Sequence, residues 1–244
     1  MSESTTVAAH LSAEVSVQED TKRGTATTRI PTKVQTAIAR RMAEVRATVP
    51  TWTSAVDVDV ETLTEALSGD VRLVDAVIRA AGIALIEHPR VNGTWRDGKI
   101  EVWTQANVAL AVDHDGEAIA LPTVRDAGNL VLTAVAERRL ELEAKVRDNG
   151  LRAPDTAGAT FALIDGGPGG ADRFDAIMPP GVGGALTIGA PQRRPWVVGD
   201  QIVPRHVVTI TLTADHRAIY PSHGGPFLRT IADLLSEPSR LLGA

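Results

Sequence analysis

Thr211-Leu212-Thr213-Ala214-Asp215-His216-Arg217 is the stretch on which the reading of this chain turns. Apolar and polar residues alternate from Val207 to Leu212, the period of a strand with one buried face. The alternation delivers a histidine at its end, and a segment carrying Pro221 and Gly224, both turn formers, follows. A histidine at a strand end can face a cleft. Imidazole titrates near neutrality, so one ring nitrogen can accept a proton from an alcohol or thiol. Taken alone, the segment accommodates two readings: a structural histidine, which is commoner, and a catalytic base.

Working outward, the preceding segments read as a strand over Thr160–Ile164, a glycine-rich loop over Gly166–Gly170 and a strand over Ala185–Ile188. A final helix is expected from Pro226 to Leu235. Toward the N-terminus, Val34, Ala37, Ile38, Met42 and Val45 recur at helical spacing within Thr32–Arg46, and Pro50 closes that helix. Trp52–Val60 alternates as a half-buried strand. Helical patterns follow over Val60–Leu67 and Leu73–Glu87, the second denser in apolar residues. Strands at Asn92–Trp95 and Lys99–Trp103 are joined at Asp97-Gly98, a dipeptide suited to a tight hairpin. The strands Val108–Val112 and Ile119–Val124 turn at Asp115-Gly116, and a long helix over Leu132–Arg147 stops at Asn149-Gly150. Strands and helices mix without a regular βαβ order, which predicts an α/β two-layer sandwich with a mixed sheet. Residues 1–28, rich in Ser, Thr, Ala and Glu, are expected to form a disordered arm, leaving 29–244 as one domain.

Composition removes several chemistries. The 244 residues contain no cysteine, so thiol catalysis, thiolate metal ligation and disulfides are absent. A net charge of −5 with both signs interspersed offers no basic stripe for nucleic acid. No run reaches transmembrane length and the start lacks the order of a signal peptide, which points to the cytoplasm and away from the membrane. Gly166-Gly-Pro-Gly-Gly170 lacks the lysine and Ser/Thr of a phosphate-binding loop. Asp113, His114 and Asp115 look like metal ligands but fall on a turn, and no metal is expected.

Asp215-His216-Arg217-Ala218-Ile219, followed by Phe227-Leu228, resembles the Asp-His-Arg signature of the dihydrolipoamide acyltransferases. The resemblance extends over Ile30-Pro31, Ala37-Ile38-Ala39-Arg40-Arg41-Met42, His88-Pro89-Arg90-Val91-Asn92, Leu121-Pro122-Thr123-Val124-Arg125-Asp126 and Phe174-Asp175-Ala176-Ile177 with Pro179-Pro180. It implies a fold like that of chloramphenicol acetyltransferase, and a homotrimer, open to further assembly into a cage, with active sites between subunits. It also implies His216 as the general base acting on a coenzyme A thioester.

Two positions depart from the family pattern. The serine expected to donate to the oxyanion is replaced by Ile164, and the Asp-Gly pair after the histidine by Tyr220-Pro221, which removes a carboxylate expected to pair with an arginine such as Arg41. Losing one oxyanion donor slows an enzyme about 100- to 1000-fold without abolishing it. Tyr220 either replaces part of the lost hydrogen bonding or fills space, and Asp165 either orients an acceptor or faces solvent. Ile164, Gly166 and Gly167 are expected to line the substrate pocket, and His223 to lie on a turn. With no lipoyl domain visible in the sequence, the expected activity is a stand-alone transfer of an acetyl group from acetyl-coenzyme A to a small-molecule primary alcohol. The tetronate-pathway acetyltransferases are the similar case. An acyltransferase core served by a lipoyl domain on another chain, and a catalytically silent trimeric scaffold, are the alternatives.

Overall fold

The computed structural model describes residues 15–20, 24–114, 116 and 118–243. These form two compact units, 1–44 and 45–244, a division that falls within the first helix rather than after residue 28. In the first unit β1 (Val15–Asp20) and β2 (Gly24–Arg29) pair antiparallel, from Val15 opposite Arg29 to Asp20 opposite Gly24. Apart from Arg29, both strands lie within the expected arm, where the sequence pattern did not suggest them. Both strands are rich in Val and Thr, which favour extended backbone, and their hydrogen bonds close on each other. The remainder of the expected arm, 1–14 and 21–23, lies outside the described residues.

From α1 (Lys33–Thr48) the chain passes to β3 (Thr51–Asp59), α2 (Glu61–Ala66) and α3 (Leu73–Glu87). The hairpin of β4 (Gly93–Arg96) and β5 (Lys99–Val102) turns at Asp97 and Gly98 with φ of 49° and 76°, as the dipeptide predicts. Next come β6 (Val108–His114), β7 (Ala118–Ala120), β8 (Thr123–Val124), α4 (Leu132–Arg147) and α5 (Ala153–Thr156). The last segment holds β9 (Phe161–Asp165), β10 (Gly184–Ile188), β11 (Gln192–Val198), β12 (Gln201–Asp215), α6 (Pro221–Ser236) and α7 (Ser239–Leu242).

The sheet is mixed, as expected. β12 pairs antiparallel with β3 on one side and β10 on the other; β10, β9 and β6 run parallel; β7 and β8 pair antiparallel with β6. Alternation sorts the two faces. Phe161 and Leu163 join the main core under α3, α4 and α6, whereas Ala162 and Ile164 turn to a smaller cluster with Met178, Val182 and Ala185. No described helix is long and apolar enough to cross a membrane.

Three further differences from expectation matter. β12 begins at Gln201 rather than Val207, and its first part forms a hairpin with β11, a strand the pattern did not suggest. The last helix begins at Pro221, so the expected turn is its first turn. Proline at a first helical position loses no hydrogen bond, because that N–H has no partner within the helix. Gly167–Gly169 is a tight 3-10 turn rather than an open loop, with Gly170 at φ 71°.

Candidate active site

β12 ends between β3 and β10, and the backbone beyond it is fixed from several sides. The amide of His216 donates to Pro50 O at 2.9 Å, and those of Ala218 and Ile219 to Asp215 O at 3.0 and 2.8 Å. Trp52 Nε1 donates to Ile219 O at 2.7 Å and Arg90 Nε to Ala218 O at 3.0 Å. Asp215 is buried, and its Oδ2 accepts Arg217 Nη2 at 2.8 Å while Oδ1 accepts the Arg217 amide at 2.9 Å. This carboxylate raises the pKa of the Arg217 guanidinium, which also lies over the Trp95 ring at 5.8 Å. Asp215 and Arg217 thus share one side of the turn, and His216 is left exposed on the other.

Among the described residues the imidazole of His216 makes no hydrogen bond within one chain, so both nitrogens are open to a reacting group. Its ring neighbour is Tyr220, 5.5 Å away between centroids and tilted by 48°. Tyr220 stacks in turn on His223 at 5.4 Å and 23°. His223 is not a free surface residue. Its Nδ1 accepts the Tyr220 amide at 3.1 Å and so caps the start of α6. Because Nδ1 accepts, a neutral His223 carries its proton on Nε2. Beside the turn lies a cavity of about 100 Å³ reached by Trp95, Arg96, Met178, Asp215 and Arg217. A cavity of about 490 Å³ shares its Arg96 and Pro180–Val182 walls and extends to Trp103 and Asn107.

The other expected site residues are elsewhere in the chain. Ile164 is level with Thr187, and Thr187 with Thr211, five residues before His216. At about 3.3 Å per residue, Ile164 and His216 therefore stand roughly 16 Å apart along the strands, toward opposite strand ends of the sheet. Asp165 is farther still. Its Oδ1 accepts the Gly167 amide at 2.9 Å, while burial, the larger effect, pushes its carboxyl above the ordinary range. The Gly166 amide is occupied by Ile188 O at 2.9 Å, and a Cβ at Gly166 would come within 2.2 Å of the Phe174 ring. Neither amide is free to bind an oxyanion in this arrangement. Arg41 is on α1, in the first unit. Of the three residues that look like metal ligands in the sequence, Asp113 Oδ2 accepts the Gly116 amide, His114 Nε2 meets Asn149 Oδ1 at 3.1 Å, and Asp115 lies outside the described residues. No metal-binding group of three or more side chains occurs among the described residues.

The sequence profile of the 2-oxoacid dehydrogenases acyltransferase (catalytic domain) family matches residues 24–243. The chain belongs to that family. A chloroplastic dihydrolipoyllysine-residue acetyltransferase component of pyruvate dehydrogenase from Arabidopsis thaliana is 35% identical over 175 residues, 70% of this chain and 36% of the relative. The acyltransferase chain thus spans well under half the length of that curated relative. A probable dihydrolipoamide acetyltransferase from Listeria monocytogenes superposes with a TM-score of 0.84 at 26% identity, covering 89% of this chain and 97% of the other. The Azotobacter vinelandii dihydrolipoamide acetyltransferase superposes at 0.84 with 21% identity over 91% and 96%. The expected likeness to chloramphenicol acetyltransferase is borne out at the level of fold, with a TM-score of 0.50 and 15% identity over 80% and 94%.

Proposed function

We propose that this acyltransferase domain moves an acyl group between coenzyme A and a dihydrolipoyl thiol, with His216 as general base. The observation that carries the reading is an imidazole presented bare from a turn whose backbone is held at five successive residues, Asp215 to Ile219. In the step proposed, His216 takes the proton of the attacking thiol, and the sulfur adds to the thioester carbonyl. The tetrahedral intermediate then expels the other thiolate, which recovers the proton from the imidazolium. The matched relatives are dihydrolipoyllysine-residue acetyltransferases. For that reason a dihydrolipoyl acceptor, supplied on this or another chain, replaces the primary alcohol expected from the sequence, and nothing in the comparisons favours tetronate chemistry.

Two features support a homotrimer in which one subunit's His216 meets the Ile164–Gly167 segment of its neighbour. Within one chain the two sets lie toward opposite strand ends of the sheet, and no residue of the amphipathic α1 is buried. The Azotobacter enzyme was studied for the catalytic roles of a serine, a histidine 52 positions later, and an asparagine 4 beyond that. The same spacing counted from His216 falls on Ile164 and Tyr220. Both polar groups are therefore absent here, and the proposed site works with the base but without that oxyanion donor.

Release of coenzyme A from acetyl-coenzyme A in the presence of dihydrolipoamide tests the reading. Replacing His216 with Ala is expected to lower kcat by about 10²- to 10⁴-fold, the usual contribution of a general base. Turnover supported only by primary alcohols would restore the stand-alone reading. Turnover unchanged in the variant would remove His216 from the mechanism.

A further inference from the structure

Two arginines are buried in the second unit, and they are treated differently. Arg139 is 1% exposed and faces Asp75, which accepts from Nε at 2.6 Å and from Nη2 at 3.1 Å; with Glu143 this raises its pKa. Arg79 is 9% exposed and has no carboxylate partner among the described residues. Its Nη1 donates to the carbonyls of Leu241 and Gly243 at the end of α7. Among the described residues its buried Nε has no hydrogen-bond partner. Burial alone acts on its pKa and lowers it. A buried cation without a counter-charge is costly, and proteins either pair such a group or neutralise it, which a guanidinium resists.

Arg79 also lines a cavity of about 430 Å³. Ile83 and Ile86 of α3 give it an apolar wall, and Gly128 and Asn129 give it a backbone wall. That second wall comes close because Gly82 and Gly128 touch backbone to backbone: a Cβ at Gly82 would lie 2.3 Å from Gly128 N. The rim carries Arg240 and Glu87, which pair with each other at 2.7 Å, so among the described residues the lining keeps one positive charge over.

We infer that this cavity is a binding site for a small anionic group, a carboxylate or phosphate, held by Arg79 with Arg240 as the second cation. The ligand supplies the counter-charge that Asp75 supplies to Arg139. The site is separate from His216 and does not depend on the acyl-transfer reading.

The test is a titration of the full chain with inorganic phosphate and with acetate at constant ionic strength, followed by calorimetry and by Tm. A saturable response is expected in the unmodified chain. Arg79→Met and Arg79→Lys should weaken it by about tenfold or more, the usual value of hydrogen bonds to a charged group. Arg240→Gln, an exposed change that leaves the fold intact, should weaken it about threefold. A chain lengthened by two glycines after Ala244 separates the sources. If only that chain responds saturably, the site binds anions and its occupant in the unmodified chain is a carboxylate of the protein itself. Equal, non-saturating responses in the unmodified chain, both Arg79 variants and Arg240→Gln, or silence in the lengthened chain as well, would overturn the assignment.

Discussion

Arg139 and Asp75 stand 64 positions apart, on α4 and α3. The structure buries both, at 1% and 0% exposure, and gives Arg139 further acceptors in Glu143 and Asp70 O. Breaking such a pair leaves a charge without its partner, which costs about 3–5 kcal/mol. Asp75→Asn should therefore lower the unfolding free energy by about that amount, read from the urea midpoint at unchanged slope. Asp165 is the reverse case. Its pKa is raised from 3.8 chiefly by burial, so just above that value the folded chain holds more protons than the unfolded one. Stability must then fall as pH rises through the window between the ordinary and the raised value. Asp165→Asn keeps an acceptor for Gly167 N and cannot ionise, and is expected to flatten that dependence. An unchanged slope would show that Asp165 carries no strain. Neither effect was legible in the sequence, because burial of a charge depends on contacts between distant segments. His216 was legible, because its motif lies within a few contiguous residues.

Elements that follow one period over many residues were the easiest to read: α3 and α4 lie where their apolar spacing places them, at Leu73–Glu87 and Leu132–Arg147. The start of α6 was misread. Pro221, Gly224, Gly225 and Pro226 look like a turn, but Gly224 is there because a Cβ would come within 2.3 Å of the Trp52 ring and 2.9 Å of Leu212 Cδ2. α6 can approach β3 only through that gap, and Trp52 in turn holds the carbonyl of Ile219. Gly224→Ala should push the helix out and cost about 1–3 kcal/mol of stability through overpacking. It should also lower kcat, because Tyr220 at the helix start moves with it. A variant with full stability and reduced kcat would separate positioning from packing. The β11–β12 hairpin was missed because Pro195, Pro204 and clustered arginines break the alternation that marks a strand.

For the whole molecule, the proposed trimer makes the His216 turn and the Ile164–Gly167 segment of one chain halves of two different sites. Under the proposed trimer, a subunit lacking His216 and a subunit with a blocked 166–167 segment each lack one half. Mixing His216→Ala with Gly166→Phe, unfolding and reassembling them together should restore activity at about a quarter of the sites, since each site draws its halves from two independent subunits. No recovery, with trimers present by mass, would place the whole site in one chain.

Pro195 and Pro204 face each other in the β11–β12 hairpin, where β11 has no other neighbour and β12 has not yet met β3. Val197 and Ile202 are exposed nearby, at 68% and 76%. A two-stranded ribbon with open edges and exposed apolar residues is a template for adding strands from other molecules, and proline, lacking an N–H, interrupts that template on both edges at once. The hairpin is therefore guarded against fibril growth. Replacing both prolines with threonine should leave the fold intact yet shorten the lag before thioflavin-positive aggregates form in concentrated solution.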